Sequence, residues 1–478
     1  MSASTKYRQR RCKGCGSEEI EERTDSRWWL PGILVVKFKQ PVPPERFSGP
    51  IDATVQHDAS ASDVAKVREI LDPLSVKPPE WTFSYKGKPP SEANYQRFIT
   101  FFLQPDVNVP EIAKRLRSAS GVVHAAAEPH IAPPRRRIPI NEPASHLHSE
   151  TLAEALQAPL LDEPLAVSGG NPLGVSVEVG TELNRNQWYL FRSRADLVVN
   201  NGITGAGVVV ADIDWGFRVD HQEFVNGRIK FKYNAATGSD DVSSVTKQWH
   251  GTGTLGLIGA GDNNTGMLGF ASGADLWAIK GQASGAFNSS WFDAIETTRL
   301  TPSGNKRKVI LIEAATDRGF NVESSTYVHE PIKRAIQDDC VVCVTAGNRG
   351  VDAGVDESNN AIPETCSILV GATQYKTDPN KILRGDSNWG PRVVISAPGA
   401  SSTDVTCCDC GTDTYRDNFG GTSGAAAKVA GAMALLLQAY PTVTHTQIVN
   451  VLRSLPQIST ADHPIGCFLD VPAIMGLL

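Results

Sequence analysis

The sequence predicts an α/β protein in which a parallel sheet flanked by helices follows a smaller α+β domain. Three observations carry that prediction. Short apolar runs at 208–211, 308–312 and 341–345 each end in a polar or glycine-containing turn, as buried parallel strands do. Stretches of small and apolar residues at 250–260 and 419–440 alternate with those runs and suit tightly packed helices. Ahead of them, residues 29–133 hold a shorter strand and helix series of their own.

Size and composition bound the rest. A chain of 478 residues is too long for one small core, so two or three folding units are expected. The division read from composition is a disordered basic tail at 1–28, a compact domain at 29–133, a linker at 134–183 and a main domain at 184–478. Net charge is −6, from 46 basic and 52 acidic residues, which gives no pull toward nucleic acid. No apolar run approaches the roughly 20 residues that span a bilayer.

The basic N-terminus is not followed by an apolar segment, so a cytoplasmic location is expected, with secretion by a non-Sec route as the alternative. Nine cysteines, an odd number, fit mostly reduced thiols. Cys12-Lys-Gly-Cys15 is half of a zinc-ribbon pattern without a nearby counterpart, and reads better as part of the tail.

In the first domain, ILVVKFK at 33–39 reads as a strand. Ser60 with Asp63 starts a helix that carries Val64, Val67, Ile70 and Leu71 on one face. RFITFFL at 97–103 is a second strand, Pro110 opens a second helix with Ile112 and Leu116 inward, and 122–127 closes as a strand. With one more strand at 81–85, the order fits a ferredoxin-like sandwich. The linker follows, with Pro133-Pro134-Arg135-Arg136-Arg137 at its head, and is a natural place for proteolytic nicking.

In the main domain, Asp214 ends a buried strand, His250 begins a small-residue helix, and Ser423 follows Gly420 and Gly421 into the first turn of a long helix. A hydroxyl is a poor nucleophile until an imidazole takes its proton, and the imidazole needs a carboxylate to hold its tautomer. A helix start favours negative charge developing beside that hydroxyl. Asn348, ending another strand in Ala-Gly-Asn, offers a side-chain amide for a tetrahedral oxyanion. Each residue alone has a plain structural explanation, as cap or turn; the four together point to acyl transfer.

Residues from about 184 to the end resemble the subtilisin-like serine proteases, the subtilases of peptidase family S8. The resemblance rests on VVVADIDWGF around Asp214, WHGTGTLGLIGA around His250, TAGN ending at Asn348 and GGTSGAAAKVAG around Ser423, in the order Asp, His, Ser. It implies a subtilisin-like fold and a serine endopeptidase acting on polypeptide substrates. In that role Asp214 orients, His250 is general base then acid, Ser423 attacks, and Asn348 with the Ser423 backbone N–H holds the oxyanion.

The resemblance also implies that residues 29–133 are a prodomain, acting as an intramolecular inhibitor of a zymogen that is cleaved within 130–184. It implies, too, a structural Ca²⁺ at GDNNTGM (261–267), held by Asn263, Glu223 and Asn184. A Gly/Asn-rich turn that binds nothing is the alternative there.

Gly253 stands where subtilases usually have a second histidine, Gly424 where they have methionine, and Ala427 where they have proline. Glu313, Ala314, Ala315 and Thr316 replace the usual Ser-Leu-Gly-Gly of the substrate pockets, so subsite preference does not carry over. That replacement motivates the other reading, a catalytically weak pseudoprotease that binds partners through the same fold.

Overall fold

The computed structural model describes residues 29–47, 59–84, 92, 95–129, 131–132, 187–244, 248–263, 266–281, 289–373, 387–399, 404–460 and 463–478. The predicted basic tail, the linker at 134–183 and Asn184 lie outside the described residues. No helix among those described is long and apolar enough to cross a membrane.

The first unit is a four-stranded antiparallel sheet of β1 (Trp29–Phe38), β2 (Ser75–Trp81), β3 (Phe98–Leu103) and β4 (Val122–Pro129), in the order β2-β3-β1-β4. Alternation along β1 decides what each face meets. Leu34, Val36 and Phe38 face the unit's own helices, Ala59–Leu71 and Val109–Leu116, whose Val64, Val67, Leu71, Ile112 and Leu116 complete that core. The shorter helix begins as its sequence suggests, with Asn108 accepting from Glu111 N and proline in the first turn.

The strand expected at 81–85 instead runs from Ser75 to Trp81. The chain turns back directly after Leu71, and Pro78 and Pro79 are tolerated because β2 is an edge strand.

The opposite face of that sheet is covered by the main domain. Val35, Phe83, Tyr95 and Phe98 share an apolar cluster with Phe292 and Tyr327, from helices Ser289–Leu300 and Thr326–Gln337. Phe83 is wholly buried and its ring lies 4.8 Å from that of Phe292. Polar contacts surround the cluster: Lys37 Nζ donates to Glu330 at 3.1 Å and Tyr95 Oη to Glu296 at 3.1 Å. Glu128 caps the Thr326–Gln337 helix from outside, accepting from Ser325 Oγ at 2.8 Å and Thr326 N at 3.3 Å, where a carboxylate also suits the helix dipole. Beyond it, β5 (Ile131–Ala132) pairs antiparallel with β10 (Ala315–Thr316), Ala132 opposite Ala315 and Ile131 opposite Thr316.

The main domain is built on nine strands: β6 (Val208–Asp214), β7 (Ile229–Asn234), β8 (Asp275–Lys280), β9 (Arg307–Ile312), β11 (Val341–Thr345), β12 (Ile368–Thr373), β13 (Val393–Pro398), β16 (Gln457–Thr460) and β17 (His463–Phe468). Their order is β16-β17-β13-β12-β11-β9-β6-β8-β7, and every neighbouring pair is parallel except β16 with β17. Each central strand is buried on both faces, which is why it reads as an unbroken apolar run. Val208, Val210, Val309 and Leu311 face the helix Gly421–Ala439, while Val209, Ile213, Ile310 and Ile312 face the other layer. Asp212 and Asp214 fall on the first of those faces by the same alternation.

Truncating Phe83→Ala removes the ring that joins the two units, and is expected to destabilise the docked protein by about 3 kcal/mol. Urea unfolding followed by tryptophan fluorescence checks this; a midpoint equal to wild type would mean that the cluster does not hold the units together.

Candidate active site

Three strands adjacent in the sheet, β11, β9 and β6, end side by side. β6 delivers Asp214 as its last residue, the chain leaving β9 delivers Glu313, and the turn after β11 delivers Gly347 and Asn348. Gly347 has φ +99°, and a side chain there would collide with Asn388 Nδ2. Asn388 holds the turn, donating to Ala346 O at 2.7 Å and Gly319 O at 2.8 Å while accepting from Arg349 N at 2.9 Å.

His250 lies in the first turn of the helix Gln248–Gly259, and Ser423 is the third residue of the helix Gly421–Ala439. Gly421, at φ +75°, makes the sharp entry. His250 Nδ1 meets Asp214 Oδ2 at 2.7 Å, and His250 Nε2 meets Ser423 Oγ at 3.0 Å. The second Asp214 oxygen accepts from Trp215 N at 2.5 Å, and Thr254 Oγ1 reaches Asp214 Oδ2 at 3.2 Å. Asn348 Oδ1 accepts from Thr422 N at 3.0 Å and from Thr422 Oγ1 at 3.1 Å, which turns the amide's Nδ2 end away from Thr422. Exposure is 3% for His250, 2% for Ser423 and 6% for Asn348. This dry setting strengthens each electrostatic contact.

Comparison with known proteins follows from this geometry. The Subtilase family model matches residues 205–461. The chain belongs to the subtilase family. It is 31% identical over 270 residues to subtilisin DY of Bacillus licheniformis, a match covering 55% of this chain and 88% of that one. It is 30% identical over 264 residues to subtilisin E of Bacillus subtilis (strain 168), covering 55% of this chain and 63% of the relative. In fold alone, it is similar to fervidolysin from Fervidobacterium pennivorans, titled a keratinolytic enzyme related to subtilisin. The TM-score is 0.58 at 18% identity, covering 95% of this chain and 62% of that one. This subtilase is a serine-type endopeptidase with the subtilisin-like arrangement of sheet and helices.

Its departures from the usual motifs have local causes. A side chain in place of Gly253 would have its Cβ 2.7 Å from the Phe419 ring, and that ring also stands 5.6 Å from the His250 imidazole. Phe419 comes from a hairpin, β14 (Asp404–Cys407) and β15 (Tyr415–Phe419), that packs along the histidine helix, with Thr406 Oγ1 donating to Gly253 O at 2.6 Å. Lys428, beside Ala427, is wholly buried and donates to Pro398 O at 2.6 Å. Cys408 and Cys410 are bonded to each other, while Cys340, Cys343, Cys366, Cys407 and Cys467 are free thiols.

The residues predicted to hold calcium do not form a cation cage as they stand. Glu223 Oε1 accepts from Tyr415 Oη and from Met267 N at 3.2 Å, and its Oε2 accepts from Asn263 Nδ2 at 3.1 Å. Each of these three contacts to the Glu223 carboxylate is a donor, whereas Ca²⁺ takes six to eight oxygen ligands. The adjoining cavity, about 320 Å³, is lined by Arg228 as well as Glu223, Asp262 and Asn263. Burial pushes the Glu223 carboxyl up to about 7, while the donors around it act the other way and favour its charged form. Asn184 lies outside the described residues.

Thr422, Asn388, Thr254 and Asp212, which the sequence reading gave no role, complete the site, and Glu313, read there as part of a substrate pocket, stands among them. Asp212 was within reach of pattern reasoning, because Asp-Ile-Asp in a buried strand puts both carboxyls on one face. Thr422→Val removes one of two donors that aim Asn348 and is expected to lower kcat about tenfold with KM nearly unchanged. Steady-state kinetics on a peptide substrate checks it; an unchanged kcat would show that the backbone N–H alone fixes the amide.

Proposed function

We infer that this subtilase cleaves polypeptides through an acyl-enzyme formed on Ser423, and that it is made as a zymogen held by its own N-terminal unit. The observation that carries the chemistry is the unbroken chain from Asp214 Oδ2 through His250 to Ser423 Oγ, at 2.7 and 3.0 Å. Ser423 Oγ attacks the scissile carbonyl as His250 Nε2 takes its proton, and Asp214 stabilises the imidazolium from the Nδ1 side. The oxyanion meets Asn348 Nδ2 and the Ser423 backbone N–H. His250 then returns the proton to the leaving amine, and a water repeats the sequence to release the acid. No step calls for a cofactor.

The substrate strand has a place to lie. β10 is a two-residue edge whose pairing partner is β5, from the N-terminal unit, in the antiparallel register an extended peptide would adopt. That pairing, the Glu128 cap and the Phe83 cluster support the zymogen reading, because a substrate would have to displace β5 to reach the same edge.

Two outcomes follow. Wild-type protein is expected to lose its N-terminal unit by cleavage C-terminal to Ala132, within 133–184, while Ser423→Ala stays full length. Intact mass measurement decides, and wild type that also stays full length would remove self-processing from the account. Since Glu223 is already filled with donors, thermal unfolding in EDTA and in excess Ca²⁺ is expected to agree within about 2 °C. A large calcium-dependent rise in Tm would show that a cation displaces them.

A further inference from the structure

The register of β5 on β10 gives the direction in which a substrate crosses the site. Ile131 lies opposite Thr316 and Ala132 opposite Ala315, so a peptide in the place of β5 advances toward Ala314 and the end of β9. The strands flanking β9 there deliver Asp214 and, just past β11, Asn348. The acyl half of the substrate therefore lies along β10, and the chain beyond the scissile bond continues past the triad. Its first nitrogen must come within reach of His250 Nε2, the atom that returns the proton. What surrounds the His250 ring accordingly meets the first residues of the leaving half.

Two aromatic rings and a cation stand there. The Trp249 centroid is 5.3 Å from that of His250 and the Phe419 centroid 5.6 Å, with 6.4 Å between Trp249 and Phe419. The Arg416 guanidinium carbon lies 4.9 Å from the Trp249 centroid and 5.9 Å from the Phe419 centroid. The hairpin accounts for this placement. Arg416 on β15 is paired with Thr406 on β14, and cross-strand partners share a face. Thr406 uses that face to hold Gly253 O on the histidine helix, so Arg416 is directed at the same helix. Phe419 is buried, whereas Trp249 and Arg416 are both half-buried and reach solvent together. Aromatic faces restrain an arginine while its N–H donors stay in the guanidinium plane. A fork held in this way matches a carboxylate, and such a charge-assisted pair is stronger than a neutral hydrogen bond.

We propose that Arg416 is a specificity-determining residue, which pairs with a carboxylate side chain in the first or second residue after the scissile bond. Polypeptides acidic at that point are the substrate class that this surface favours. The pair forms on binding and dissolves as the leaving peptide departs, exchanging no proton with the triad. It acts through affinity for the substrate, so the preference belongs in KM more than in kcat.

This rests on the serine-protease reading, and the test separates the two. Internally quenched peptides share one sequence before the scissile bond and carry Glu-Glu, Gln-Gln or Lys-Lys after it. Both kcat and KM are measured for wild type, Arg416→Gln and Arg416→Glu. Wild type is expected to favour the Glu-Glu peptide over Gln-Gln about tenfold in kcat/KM, mainly through KM. Arg416→Gln should bring that ratio to within about twofold of unity, and Arg416→Glu should turn the preference toward Lys-Lys. Because the pair lies at the surface, raising salt from about 0.05 M to about 1 M should shrink the wild-type ratio as well. A wild type that treats the Glu and Gln peptides alike, or a preference that survives both substitutions, overturns the role of Arg416. Fluorophosphonate labelling of Ser423 in wild type tests the protease reading by itself, since that reagent carries no peptide beyond the reacting centre. Labelling without an acidic preference overturns the role of Arg416 alone, and no labelling overturns both. Should the variants fail to fold, the wild-type ratio decides, and a ratio that salt leaves unchanged overturns the role.

Discussion

The site depends on satisfying a carboxylate that has no access to water. Asp214 is fully buried at the end of a strand, and an ion in that position costs several kcal/mol unless donors surround it. His250 Nδ1 and Trp215 N meet that demand, and the Thr254 hydroxyl, 2.6 Å from Asp212 Oδ2, stands 3.2 Å from Asp214 Oδ2. Each solution constrains something else. Committing Nδ1 to Asp214 leaves Nε2 for Ser423, so the tautomer that catalysis requires is the one that burial also selects. Placing Thr254 one helical turn beyond His250 keeps both on the face turned toward β6.

The rest of the scaffold serves the approach of the two helices that carry base and nucleophile. Glycine and alanine line their contacts because a larger residue would strike the neighbouring element, as at Gly253 against Phe419. The β14–β15 hairpin binds the histidine helix through Thr406 and binds the loop after Asp214 through Tyr415 and Glu223. The N-terminal unit extends the same logic outward: β1 is apolar on both faces because one is covered by its own helices and the other by Phe292 and Tyr327.

Much of this was legible in the chain. Unbroken apolar runs predicted parallel strands buried on both sides, and the polar residues at their ends named Asp214 and Asn348. Small-residue stretches marked His250 and Ser423. What pattern reasoning missed is of a different kind. Strand β2 fell earlier than expected because the turn after Leu71 is tight, a local event with little periodic signal. Asn388 and Thr422 act through hydrogen bonds to residues as far as 69 and 74 positions away, and no local spacing announces such partners. Glu223, which the resemblance places at a calcium site, accepts from Tyr415, Met267 and Asn263, and a sequence does not say which way an amide or a tyrosine hydroxyl points.

By itself, then, the order of residues marked most of the strands and helices through periodicity, and through the resemblance of their motifs it named Asp214, His250, Ser423 and Asn348 as candidates for orienting acid, base, nucleophile and amide. Only the tertiary structure decided that β11, β9 and β6 end side by side, and so that Glu313 stands among the reacting groups rather than on a pocket wall. The physical reason is that strand order in a parallel sheet is set by helices crossing over distant stretches of chain, and electrostatic neighbours at strand ends are fixed by that order alone.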